Sequence, residues 1–94
     1  MKNRDLTRRE IAELRLNYPP GTRIVLDHME DNWAVPRGTR GSVTEVDDAG
    51  TIHMKWDNGR TLGLVSQADQ FRKLTEQEQL EEQSQGQEQI LKMQ

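Results

Sequence analysis

The residues best suited to acid–base or metal chemistry are the two histidines, His28 and His53, with Asp27 beside the first and Asp57 four positions after the second. A metal or proton-transfer centre needs several such groups brought together, and no ligand-spacing motif ties these four to one another. His53 lies between Ile52 and Met54. Alternation therefore puts it on the polar side of a strand, where a solvent-facing cross-strand role is expected. Asp47-Asp48 and Asp57-Asn58 carry oxygen ligands, but no Asp-x-Asp-x-Asp-Gly loop ending in glutamate surrounds them. Aspartate ahead of glycine is first a turn former. The chain has no cysteine, which excludes disulfides, zinc–thiolate sites and a thiol nucleophile. No Ser-His-Asp arrangement and no phosphate-cradling glycine loop is legible. The expectation is a protein that is not an enzyme and that needs neither cofactor nor metal.

Binding chemistry is better represented. Trp33 stands in the stretch EDNWAVPRG, with Arg37 and Arg40 after it. An indole with guanidinium groups nearby suits stacking on a base, a proline or a nucleotide, with arginine free for phosphate or carboxylate. The competing reading folds Trp33 back as a lid on a thin core. The candidate ligand-binding set is Trp33, Arg37 and Arg40, joined by His53, Asp57, Asn58 and Arg60 around the second hairpin. Trp56 alternates with Ile52 and Met54 and reads as core. Arg23, Lys55, Arg60, Arg72 and Lys73 form a basic stripe, or pair with Glu45, Asp27 and Asp69 in exposed bridges of small energetic value.

These residues need a scaffold, and residues 39–65 supply its signature. Val43 and Val46 mark one run, Ile52, Met54 and Trp56 a second at period two, and Leu62 and Leu64 a third. Asp47-Asp48-Ala49-Gly50 and Asp57-Asn58-Gly59 separate them, and Asn-Gly supplies the positive φ angles of a tight hairpin, so the stretch reads as a three-stranded meander. Ahead of it, Thr22–Met29 reads as a strand with Ile24, Leu26 and His28 on one face and Arg23, Val25 and Asp27 on the other, and Glu30–Gly38 as a long loop of the kind that carries function. Gly38 and Gly41 around Thr39-Arg40 mark a bulge or barrel corner. Ser66–Gln70 reads as a turn and Phe71–Leu74 as a closing strand. Thr7–Asn17 reads as a helix with a Thr7/Glu10 capping box, Leu6 as a staple residue and an Ile11, Leu14, Tyr18 stripe, stopped by Pro19-Pro20. The fold class is mainly β: a small SH3-like five-stranded barrel preceded by one N-terminal α-helix, its closure hiding the sheet edges. The inner side is Ile24, Leu26, Val43, Ile52, Met54, Trp56, Leu62 and Leu64.

Three segments follow: a basic helix over 1–18, the barrel over 19–74 and a Gln/Glu-rich tail over 75–94. The tail's Leu80, Ile90, Leu91 and Met93 make no sustained heptad and Gly86 interrupts it, so it reads as solvated, partly helical or disordered, with a helical oligomerisation arm as the alternative. Ninety-four residues with net charge −3 allow one small domain and lack the footprint of a general duplex DNA binder. No apolar run reaches the length of a membrane span or a signal segment, so a cytoplasmic location with no membrane partner is expected.

The segments YPPGTRIVLDHMED, VPRGTRGSV, VDDAGTIHMKWDNG and LGLV followed by DQFRKL together resemble an uncharacterised domain-of-unknown-function family of small proteins from phages and bacterial mobile elements. The resemblance covers Tyr18–Leu74. It implies an SH3-like fold and a phage or mobile-element origin, so that the cytoplasm expected above is that of a host cell, and it implies no activity. The chain departs from the family pattern at Trp33 and Ala34, where a Tyr and an extra Pro are usual, and at Ser66-Gln67 in place of Pro-Gly. GTRGSV is also weakly similar to the glycine turn of KOW modules. Three functions are open: a non-enzymatic binding module that captures a host protein or a small, nucleotide-like host ligand in counter-defence; a KOW-like binder of RNA or single-stranded nucleic acid; and a structural or assembly protein, with homo-oligomers allowed.

Overall fold

The computed structural model describes the backbone of residues 5–92 and the side chains of residues 5–84. Lys2 and Arg4 of the basic N-terminus, and the side chains of Ile90, Leu91 and Met93, lie outside the described residues. The order is α1 (Arg8–Asn17), β1 (Arg23–His28), β2 (Arg40–Val46), β3 (Thr51–Trp56), β4 (Leu64–Val65), β5 (Gln70–Lys73) and α2 (Glu76–Lys92). The strands form one antiparallel sheet in the order β4-β3-β2-β1-β5.

β4 and β5 follow each other in the chain yet occupy opposite edges. In a flat sheet those edges would stand about 19 Å apart, four strand spacings of about 4.8 Å. The four linking residues are coiled, with Ala68 and Asp69 N–H both donating to the Val65 carbonyl at 3.0 and 2.8 Å. Asp69 pins the turn: its carboxylate accepts from Val65 N–H at 2.8 Å and from Glu30 N–H at 3.0 Å. So short a link requires a strongly curved sheet. No pairing between β4 and β5 closes it among the described residues, and the sheet is open.

Ile24, Leu26, Val43, Ile52, Met54, Trp56 and Leu64 fill the concave side, each at most 2 % exposed. Leu62, expected with them, is only half-buried, and β4 shrinks to two residues. The cause is Trp56, whose indole N–H donates to the Leu62 carbonyl at 2.7 Å and takes it out of the ladder. Val46 reaches the core three positions after Val43 because a bulge between Val43 and Glu45 resets the alternation. A second irregularity between Leu26 and His28 turns His28 outward, against the expectation, and Met29 is buried instead. Gly41 is not at a bulge. It sits in regular register opposite Trp56.

Both hairpins share one turn. Asp47 N–H donates to the Thr51 carbonyl and Gly50 N–H to the Asp47 carbonyl, both at 3.0 Å; Trp56, Arg60 and Gly59 repeat the pattern at 2.8 and 2.9 Å. Only the glycines take positive φ, +88° and +91°. Asn58 does not, so this is a four-residue turn ending in a glycine bulge, not the tight two-residue form.

α1 is capped at Thr7 by the reciprocal Thr7/Glu10 bonds, at 3.1 and 2.9 Å. Ile11 is buried, with Leu6, Leu14 and Tyr18 packed around the core. Arg15 fastens the helix to the first hairpin through the Val46 carbonyl at 3.1 Å and Asp48 at 2.7 Å. Of the two forms expected for the tail, the structure shows the helical one. It is helical from Glu76, and Gly86 does not interrupt it. Thr75 and Glu78 form a second reciprocal cap, at 2.8 and 3.1 Å.

Candidate functional site

The long loop between β1 and β2 presents Trp33 to solvent at 77 % exposure, so it is not the lid. Val35, 3 % exposed, fills that place. The loop is nonetheless held. Trp33 N–H donates to the Asp31 carboxylate at 2.7 Å and Ala34 N–H to the Asp31 carbonyl at 3.2 Å. Arg60 reaches over from the second hairpin and its guanidinium donates to the carbonyls of both Trp33 and Ala34. Asn58 supports it by accepting from Arg60 N–H at 3.0 Å. The result is a large apolar side chain in water on a fixed backbone, an arrangement that forgoes about 2 kcal/mol of burial and lowers the ordering cost of a contact.

The other end of the same loop borders an open cleft of about 750 Å³. Tyr18 and Phe71 give it an aromatic wall, edge to face with ring centres 5.7 Å apart. Lys73 lies over Tyr18, 5.1 Å from the ring centre. Val25, Arg37, Asp27 and Arg72 also line it, and Arg37 pairs with Asp27 at 3.1 Å.

On the convex side, β1, β2 and β5 each contribute an arginine. Arg40 and Arg72 both pair across to Val25, and Arg23 stands two residues along β1 on the same face. Arg72 forks Glu78 at 2.7 and 3.0 Å. Arg40 lies between Glu78 and Glu82, at 3.6 and 3.5 Å. Arg23 forks Glu82 at 2.6 and 3.2 Å and Asp57 at 2.9 and 2.6 Å, and reaches Ser42 at 3.1 Å. The charges alternate in one line: Arg72, Glu78, Arg40, Glu82, Arg23, Asp57. The hydrogen bonds from Arg72 hold the Glu78 carboxyl down to about 2, from an ordinary 4.5. Those from Arg23 lower Glu82 and Asp57, and Arg23 is raised in return.

The histidines are separate. His53 Nε2 meets the Asp47 carboxylate at 2.8 Å, and Ala49 and Thr51 N–H donate to the same carboxylate at 2.9 and 3.0 Å. These bonds, led by that from His53, hold Asp47 below its ordinary range. His28 faces Glu30 at 3.5 Å. Among the described residues no three of His, Asp and Glu converge on a metal-sized space.

A family model described as a domain of unknown function, DUF4314, matches residues 7–74. The chain belongs to that family. The DUF4314 match runs from the Thr7 cap through β5 and ends at Leu74, just before α2. No curated protein and no solved structure matches.

Of the residues singled out by sequence, Arg60 meets the Trp33 loop with Asn58 bonded to its backbone N–H, Arg40 and Asp57 belong to the convex network, Arg37 lines the cleft and His53 stands with Asp47. They do not form one pocket. Glu78, Glu82, Tyr18 and Phe71 were missed. The Thr75-x-x-Glu78 cap was the legible signal for α2, since it starts a helix whose next-turn carboxylate is Glu82.

Proposed function

We propose that this chain is a non-enzymatic binding module of phage or mobile-element origin, built on an SH3-like scaffold, that captures a host protein or a small host ligand through the β1–β2 loop. The observation that carries the reading is Trp33, fully presented on a backbone that Arg60 and Asp31 hold in place. A rigid exposed aromatic is the usual form of a binding anchor. The strand order and the coiled link between β4 and β5 support the SH3-like scaffold. The ligand face that suits Trp33 is flat and apolar: a nucleobase, a proline or an aromatic ring.

The test uses the two tryptophans as reporters, since Trp56 is 1 % exposed and Trp33 is not. Cyclic nucleotides, ADP-ribose derivatives and a proline-rich peptide are titrated while emission and melting temperature are read. A ligand that moves both in the native protein and neither in Trp33→Ala supports the reading. A panel that moves neither in the native protein discards it.

A further inference from the structure

The convex face holds three guanidinium groups on three neighbouring strands, and among the described residues the groups that α2 sets against them are two carboxylates one helical turn apart. We infer that Arg23, Arg40 and Arg72 form a binding face for two successive phosphates of a single-stranded polynucleotide, and that α2 occupies this face as an internal competitor. The inference is independent of the role given to Trp33.

The geometry of the pairs is the first argument. Arg72 grips both oxygens of Glu78 and Arg23 both oxygens of Glu82. A guanidinium fork takes a phosphate's oxygen pair as it takes a carboxylate's. Glu78 and Glu82 are four residues apart on a helix, about 6 Å along its axis, comparable to the step between neighbouring phosphates of a polynucleotide. Arg40 lies between the two positions and serves both.

The second argument is how unequally the two sides are held. Arg23 keeps a bidentate bond to Asp57 and a bond to Ser42 that do not involve α2. The helix, in contrast, leaves Leu80 55 % exposed, and among the described residues its side-chain bonds to the strands are these ion pairs. Partly exposed pairs of this kind contribute little each and weaken with salt. The third argument is charge. Residues 1–74 carry twelve Lys and Arg against eleven Asp and Glu, whereas residues 75–94 carry five Glu against one Lys. The negative balance of the chain therefore resides in the segment that covers the arginines, and that segment lies beyond the family match.

The experiment measures binding of a fluorescein-labelled oligo(dT) by anisotropy, with the full chain at several salt concentrations. Glu78→Gln/Glu82→Gln uncovers the arginines. Glu76→Gln/Glu81→Gln makes the same change of net charge at exposed positions away from them. The expected result is at least tenfold tighter binding in the first variant and no comparable gain in the second. The log–log salt slope should be about −1.4, the value for two phosphates on a single strand, and Arg40→Gln added to the uncovered variant should abolish the gain. Equal gains in both Gln pairs, or a gain that survives Arg40→Gln, overturns the inference. So does an uncovered variant that takes a synthetic peptide of residues 75–94 but no oligonucleotide, since the face is then only the seat of α2. Competition by inorganic pyrophosphate as strong as that by unlabelled oligonucleotide reassigns the face to free phosphates and overturns the polynucleotide reading.

Discussion

Gly41 lies directly across the sheet from Trp56, and a Cβ placed on it would stand 2.8 Å from the indole Cε3 and 3.0 Å from the Lys55 carbonyl. The glycine is there for the space it leaves. Trp56 fills that space and spends its N–H on the Leu62 carbonyl, so one residue sets both the floor of the core and the shortness of β4. Gly41→Ala is expected to destabilise the fold by about 1–3 kcal/mol through overpacking, a fall of roughly 5–20 °C in melting temperature for a domain of this size. A thermal melt followed by Trp56 emission checks it. An unchanged midpoint would show that the indole has room to move.

Gly50 and Gly59 share a backbone conformation and differ in surroundings. A Cβ at Gly59 meets nothing within 4 Å, whereas one at Gly50 falls 2.3 Å from Leu6 Cδ1 and 3.5 Å from Ile11. Gly59→Ala should therefore cost only the left-handed penalty, about 1–2 kcal/mol. Gly50→Ala should cost that and the displacement of the Leu6 staple. In a double-mutant cycle Gly50→Ala and Leu6→Ala should be less than additive, because Leu6→Ala removes the clash. Denaturant unfolding of the four proteins decides it, and full additivity would mean that α1 does not pack on this hairpin as described.

Much of this was readable from residue order alone. Period-two runs located β3 and most of the core, and Thr7-x-x-Glu10 located α1, because those signals act within a few residues. What failed was set at longer range. The length of β4 depends on a bond from Trp56. The outward turn of His28 depends on register against β5. The exposure of Trp33 depends on Val35 taking the inner place, and both residue types fit either position. The basic stripe was visible in part, but its partners were sought among Glu45, Asp27 and Asp69. Asp69 instead accepts two backbone N–H groups, and the partners are Asp57 of the second hairpin together with Glu78 and Glu82 of the segment read as a solvated tail. The candidate site was legible as residue types and illegible as a grouping, since Arg37 pairs with Asp27, Arg40 with Glu78 and Glu82, and Arg60 with the loop carbonyls of Trp33 and Ala34.

Arg60 is the link between the second hairpin and the Trp33 loop. Arg60→Met keeps the stem and removes the donors to the Trp33 and Ala34 carbonyls. A loss of about 1 kcal/mol in global stability is expected, since the bonds are partly exposed. Hydrogen exchange over residues 31–36 should quicken by more than the global loss explains, because the loop is freed while the core stays. Exchange that rises only in step with global stability would leave the loop held by Asp31 and Val35 alone.

The docking of α2 should depend on pH with a definite sign. Glu78 is ionised and bonded by Arg72 in the folded chain, with its carboxyl lowered to about 2, and Arg23 lowers Glu82 likewise. A depressed carboxyl contributes stability that is complete above its ordinary value of 4.5 and is lost as pH falls towards the folded value. A label at Ser84→Cys, in a chain with no other cysteine, reports the helix while Trp56 reports the core. The label's anisotropy should be flat above about pH 5 and fall between 4.5 and 2. Glu78→Gln should lower it at neutral pH and remove the lowest-pH part of the transition. Added salt should act in the same direction as acid, because both weaken the same ion pairs. A label that moves only when Trp56 emission moves would instead tie α2 to the core, and the alternating line of charges would then not be what holds it.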